Sequence, residues 1–192
     1  CAAVETHWLS TSLPEAGGML RVGIPEHRLP REILDQEIEI ITQLGVEIKT
    51  NTALGPNLTV DDLFSQDYKA VYLAIGAHQG KKLGIDGEDG PGIWTGTEFL
   101  NHANSGKRVE IGGSVVVIGG GDTGSDCVGT SIRQGARSVT QIEILPKPPE
   151  DCNPETPWPQ WPQIMRTSSS QAEGCQRRWS VLRKKNLIPH NC

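Results

Sequence analysis

The chain has 192 residues, 36% hydrophobic and 21% charged, with a formal net charge of −5, a length that suits one domain of roughly 100–200 residues or parts of two. Its 22 glycines and 13 prolines are unevenly placed, which predicts many tight turns and excludes collagen-like or fully disordered chains. No apolar stretch approaches the ~20 residues of a membrane-spanning helix, and no charged segment followed by an apolar one opens the chain, so a soluble cytoplasmic setting is expected, with no membrane partner.

In chain order, residues 1–13 carry no usable period. Pro14–Pro25 holds three glycines and two prolines and is expected as a fixed loop. From Pro30, Ile33, Leu34, Ile38, Ile41 and Leu44 recur at helical spacing, with Gly45 just beyond, which predicts a helix. Val46–Thr50 alternates as a short strand, Thr59–Phe64 reads as a capped helical turn, and Ala70–Ile75 as a buried strand ended by Gly76. Residues 76–92 are loop-like, Thr97 is expected to cap a helix through about Ala103, and a domain boundary falls near Gly106. Next comes a dense unit: strand Ser114–Ile118, a glycine turn, a helix from Asp122 to about Gln134 closed by Gly135, and strand Ser138–Leu145. Seven prolines between Pro146 and Pro162 exclude a regular element there.

The sharpest motif is Gly119-Gly120-Gly121-Asp122-Thr123-Gly124, a G-x-G-x-x-G that follows the apolar strand Val115–Ile118 and opens a helix. That context is what a dinucleotide-binding turn requires. Gly119 permits the tight turn, Gly121 lets the backbone approach a pyrophosphate, and Gly124 lets helix and strand pack closely. The phosphate charge is expected at the helix N-terminus, where unpaired N–H groups converge. About 20 residues on, where such folds place an acidic residue against the ribose, stands Glu143. A carboxylate there favours NAD(H) over NADP(H) on charge. An exposed strand residue with no ligand is the other reading of Glu143, and Arg137 or Lys147 is then the cation for a phosphate.

Five widely separated cysteines show no zinc or iron–sulfur spacing, and no metal site is expected. Cys127, on the helix after the turn, is expected as a buried structural thiol. The histidines stand near no Ser or Cys in a recognisable elbow, so none is assigned a catalytic role. Up to Met165 there are 12 Lys/Arg against 22 Asp/Glu, and from Arg166 on there are 6 against 1. That basic end, with Arg177-Arg178-Trp179 and Arg183-Lys184-Lys185, is expected as a solvated terminus rather than a nucleic-acid contact.

Several stretches together resemble the glutamate synthase small (beta) subunit family. They are Gly17–Pro25 through Arg28-Leu29-Pro30, Leu73–Ala77, Leu83–Asp89, the Gly119 turn with Asp126-Cys127, and Pro154–Pro162 followed by Arg166–Ser170. The resemblance runs over residues 14–181. It implies an α/β, Rossmann-like parallel sheet made of parts of two nested dinucleotide-binding domains of a flavoprotein oxidoreductase: a partial FAD-binding domain over 1–107, and a partial NAD(P)-binding domain with a Pro-rich extension over 108–192. It further implies hydride transfer from NAD(P)H to FAD, feeding electrons to glutamate synthesis from glutamine and 2-oxoglutarate.

Gly18, Met19, Leu20, Arg21, Gly23, Ile24, Pro25, Arg28, Ala74 and Gly76 would then lie along FAD, and Gly119, Gly120, Gly121, Asp122, Thr123 and Gly124 along NAD(P)H. The cofactors carry such chemistry, so no catalytic acid, base or nucleophile is expected. The implied partner is the glutamate synthase large subunit, or the remainder of the flavoprotein, with iron–sulfur clusters in those regions. The family's first FAD fingerprint is not found before Pro14, and Ser10-Thr11-Ser12 stands where the acidic residue for the FAD ribose would fall. The sequence is therefore expected to be an internal or truncated piece. The alternatives are a dinucleotide-binding fragment without turnover, or another flavoprotein of the same group, such as a ferredoxin- or sulfur-linked NAD(P)H oxidoreductase.

Overall fold

The computed structural model describes residues 8–151, 153–160 and 163–181. Expectations resting on Cys1, Cys152 and Cys192, His7 and His190, Trp161-Pro162 and Arg183–Lys185 lie outside the described residues. The chain divides into two compact units, Cys1–Gln79 and Gly80–Cys192.

In the first unit, strand β1 (Trp8–Ser10) pairs in parallel with β2 (Glu47–Lys49). The pairing continues past β1, where Thr11 donates to the Lys49 carbonyl at 3.0 Å. Between the strands run the short helix α1 (Gly18–Val22) and the helix α2 (Arg31–Gln43), so the segment expected as a plain loop contains one helical turn. Gly17 opens that turn at φ +117°, a backbone that favours glycine. Helix α2 spans nearly the range its periodicity predicts, and Leu34 is its buried anchor. Helix α3 (Val60–Ser65) has the expected cap: the Thr59 hydroxyl accepts from the Asp62 amide, and the Asp62 side chain accepts from the Thr59 amide.

The strand expected at Ala70–Ile75 is not formed. These residues belong to no strand, and Tyr72 is 92% exposed. A parallel strand needs flanking strands to satisfy its backbone, and among the described residues of this unit only β1 and β2 form a sheet.

In the second unit, helix α4 (Gly96–Asn104) is capped by Thr95 rather than Thr97: Thr95 and Glu98 form a reciprocal capping box, the more effective pairing at a helix start. Strand β3 (Ser114–Ile118), helix α5 (Asp122–Arg133) and strand β4 (Ser138–Ile142) reproduce the expected unit, with β4 ending before Leu145. The sequence reading missed two further elements, helix α6 (Ser169–Ala172) and strand β5 (Cys175–Arg178). The three strands form a parallel sheet in the order β3-β4-β5, so Arg177 and Arg178 are part of a sheet rather than a free terminus.

Phe99 and Leu100 of α4 pack with Cys127 and Val128 of α5, Val117 of β3 and Val139 of β4 into one core. Helix α4 thus belongs to the second unit, and the division falls ahead of the boundary expected near Gly106. Alternation sends Val117, Val139 and Gln141 toward this core, while Val116 and Ile118 face out and stay exposed. Among the described residues no helix is long and apolar enough to cross a membrane.

Candidate dinucleotide-binding site

The three parallel strands end on one side, and the chain that follows each end meets there: Gly119–Gly121 after β3, Glu143 after β4 and Trp179 after β5. Ligands of open α/β sheets bind outside such carboxyl ends. Gly119 extends the ladder, its amide donating to the Ile142 carbonyl at 2.9 Å, then turns the chain at φ +115°. Gly121 is the N-cap of α5, and no side chain caps that end among the described residues, which leaves first-turn N–H groups for an anion.

The glycines divide by what a side chain would meet. A Cβ on Gly124 would stand 2.3 Å from the Gly119 carbonyl oxygen, whereas Cβ atoms on Gly119 or Gly121 would meet nothing within 4 Å. Gly124 is therefore required by packing, while the open sides of Gly119 and Gly121 leave room for a pyrophosphate against the backbone. Residues 119–124 thus fit a dinucleotide.

Glu143 stands beside this turn. One carboxylate oxygen accepts from the Gly120 amide at 2.6 Å, and the other from the amides of Ile144 at 2.7 Å and Leu145 at 3.2 Å. Glu143, Gly120, Gln141, Arg177, Arg178 and Trp179 line one small recess. The Arg177 guanidinium lies 5.0 Å from the Trp179 ring centre and the Lys147 ammonium 5.8 Å. Of the two cations considered for a phosphate, Lys147 is near this recess. Arg137 precedes β4, at the opposite end of the sheet. Arg177, Arg178 and Trp179 were missed as site residues because they were read as a tail, and Cys-Gln-Arg-Arg has none of the β-branched or aromatic alternation that marks a strand.

Cys127 is buried as expected. Burial first, and the Asp126 charge second, push its thiol up to about 12, so it remains protonated and inert at neutral pH. Among the described residues no three His, Cys, Asp or Glu side chains gather as metal donors.

The flavin-side residues are arranged differently. Arg21 is committed to protein partners: it donates to the Ala16 carbonyl and pairs with Glu15 at 3.1 Å and with Asp35. A Cβ on Gly23 would stand 2.9 Å from the Met19 carbonyl, so Gly23 serves packing. Leu20 and Arg28 are exposed, Pro25 is buried, Met19 and Ile24 are half-buried, and Gly18 is open on its Cβ side at φ +53°. Ala74 and Gly76 lie on the exposed segment that forms no strand. These residues do not by themselves form a flavin cradle.

A parallel sheet with a glycine turn onto a helix N-terminus and a carboxylate on the next strand defines a dinucleotide-binding Rossmann unit. Residues 3–156 match the pyridine nucleotide-disulphide oxidoreductase family, and the chain belongs to that family. It is 38% identical over 170 residues to the glutamate synthase [NADH] of Schizosaccharomyces pombe, covering 82% of this chain and 8% of that protein. It is also 38% identical over 181 residues to the glutamate synthase [NADPH] small chain of Mycobacterium tuberculosis, covering 86% of this chain and 36% of that one. Among solved structures, Mycobacterium tuberculosis FprA in complex with NADPH shares the fold, with a TM-score of 0.61 at 20% identity over 73% of this chain and 37% of FprA. The chain thus spans about a third of the length of the small chain it matches.

Proposed function

We propose that this chain supplies the pyridine-nucleotide site of a flavoprotein oxidoreductase of the glutamate synthase small-subunit type. The carrying observation is the Gly119–Gly124 turn, whose Gly119 and Gly121 are open where Gly124 is closed by protein. In this reading the amides of the turn and the first turn of α5, at Asp122 and Thr123, hold the pyrophosphate, and Glu143 accepts from the adenosine ribose. A reduced nicotinamide bound there supplies a hydride equivalent. The protein groups bind and orient it, and no side-chain acid or base is required of them.

The flavin-side set, Gly18, Met19, Leu20, Arg21, Gly23, Ile24, Pro25, Arg28, Ala74 and Gly76, contributes to an FAD site completed by the remainder of the flavoprotein. Iron–sulfur clusters of that remainder, or of a glutamate synthase large subunit, would supply the electron path to glutamate formation in the cytoplasm. Support for this comes from the two glutamate synthase relatives.

Glu143 favours NADH on charge, because its carboxylate repels a 2′-phosphate. Titration of the chain with NADH and NADPH by nucleotide fluorescence tests the reading. NADH is expected to bind more tightly, and Glu143→Ala to weaken NADH while sparing or improving NADPH. Equal weakening of both would make Glu143 a structural residue that only braces the Gly120 amide, and no binding of either nucleotide would remove the proposal.

A further inference from the structure

Resting on the dinucleotide reading, we propose that Gln171 of α6 is a positioning residue for the glycine turn, acting through the buried Gln141. The Gln141 side chain is 2% exposed, an unusual place for an amide unless both its ends are paired. Its Nε2 donates to the Gly119 carbonyl at 2.8 Å, and its Oε1 accepts from Gln171 Nε2 at 2.7 Å. Gln171 is fixed in turn, since its Oε1 accepts from the Ser168 amide at 2.9 Å within the capping box of α6.

A second arm of α6 reaches the other side of the turn. The Ser168 hydroxyl is hydrogen-bonded to that of Ser125, whose amide donates to the Gly121 carbonyl at 3.0 Å. Contact at this distance is possible because α5 has a glycine where α6 lies against it: a Cβ on Gly129 would stand 2.5 Å from Ser170 Oγ. Residues 168–171 therefore hold both ends of the turn, the Gly119 carbonyl through two buried amides and the first turn of α5 through two hydroxyls.

The consequence concerns the direction of N–H groups. Peptide 119–120 is one rigid plane, so a donor that fixes the Gly119 carbonyl also fixes the Gly120 N–H on the opposite side. Gln171 supplies the donor that keeps the Gln141 carbonyl end facing α6 and its NH2 facing Gly119. An acceptor in place of the Gln171 NH2 draws the Gln141 amide end for end, so that its NH2 turns to residue 171 and oxygen faces oxygen at Gly119.

Gln171→Glu is the discriminating variant. It retains the carboxyl oxygen that caps Ser168 and removes only the donor to Gln141. We expect NADH and ADP-ribose to bind about tenfold more weakly at pH 8, and adenosine, which has no pyrophosphate, to weaken less, only through the Gly120 amide that braces Glu143. At about pH 4.3, the ordinary glutamate value, affinity is expected to return partway toward that of the unsubstituted chain, because the protonated carboxyl donates to Gln141 again. The ionisable groups on the surrounding segments are Asp122, Asp126, Cys127 and Arg133 of α5, Glu143 after β4, Glu173 after α6, and Cys175, Arg177 and Arg178 of β5, and Arg133 is already paired with Glu173. The unsubstituted chain measured at both pH values subtracts their effect.

Amide hydrogen exchange without nucleotide gives a second readout, with faster exchange expected at residues 119–124 and none of this change in β3. Unchanged affinity and exchange in Gln171→Glu would overturn the proposal, as would equal weakening of adenosine and ADP-ribose. An unsubstituted chain that binds neither NADH nor ADP-ribose would instead overturn the dinucleotide reading beneath it, while the exchange result would still decide whether Gln171 orders the turn.

Discussion

At Gly121 and Gly124 the same residue type answers two different demands, and substitution separates them. Gly121 has φ −75° and ψ −177°, a backbone open to any residue, and its Cβ side is empty. Gly121→Val is therefore expected to leave the melting temperature nearly unchanged while weakening NADH at least about tenfold, or ~1.4 kcal/mol. A thermal melt and a nucleotide titration on the same sample check both halves. Gly124→Ala places a carbon 2.3 Å from a backbone oxygen, which forces α5 away from β3. The expected destabilisation, read from urea unfolding, is about 1–3 kcal/mol. The roles of Gly119, Gly121 and Gly124 were legible because a turn onto a helix is written locally. The Gln141 and Gln171 pair was not, since an amide in a strand is buried only when a partner 30 residues away is present.

Helix starts were legible as a class, although not always at the right residue. Both Thr95 and Thr97 precede the apolar Phe99-Leu100 pair, but only Thr95 has an acid three residues later, and the reciprocal bond decides. The acceptor bonds from Thr95 and Thr59 hold the Glu98 and Asp62 carboxyls below their ordinary range. A carboxyl lowered in the folded state contributes stability fully above its unfolded value and loses it as pH falls through the folded one. The stability of α4 should therefore decline as pH falls from the ordinary carboxylate value through the lowered value of Glu98. Glu98→Gln, which still caps, should flatten that decline in thermal melts recorded from pH 7 to pH 3.

Strands were read less evenly, for a physical reason. The apolar run before the Gly119 turn pairs with β4 and forms as expected, whereas Ala70–Ile75 has equal apolar character and pairs with no strand among the described residues. Strand β5 is the converse: Cys-Gln-Arg-Arg carries no apolar signal, yet it pairs with β4 in register. Strand formation depends on the neighbour as much as on the segment.

Across the whole molecule, apolar surface is left uncovered on a scale that local reading did not show. The stripe that identified α2 buries only Leu34, leaving Ile33, Ile41 and Leu44 exposed, with Leu44 80% exposed, and Ile40, outside the stripe, is exposed as well. Tyr72, Leu73 and Ile75 add to the exposed apolar surface of the same unit. Large exposed apolar patches drive association, so the chain is expected to bind an apolar dye such as ANS when native and to self-associate with rising concentration. The pair Ile40→Lys and Leu44→Glu should raise the soluble fraction in sedimentation without lowering the melting temperature, because neither side chain is in a core. A monomeric, dye-silent chain would contradict the expectation.

The two borders of the three-stranded sheet are chemically unlike. Beyond β5 the outermost side chains include Gln176, Arg177 and Arg178, and charged borders discourage further pairing. The opposite border is β3 itself, Ser-Val-Val-Val-Ile, β-branched at four of five positions and without charge. The sheet therefore has a polarity of growth: an additional strand is repelled on the arginine side and welcomed along Ser114–Ile118, immediately upstream of the glycines. Whatever polypeptide extends the sheet there would also stiffen the platform from which the turn projects.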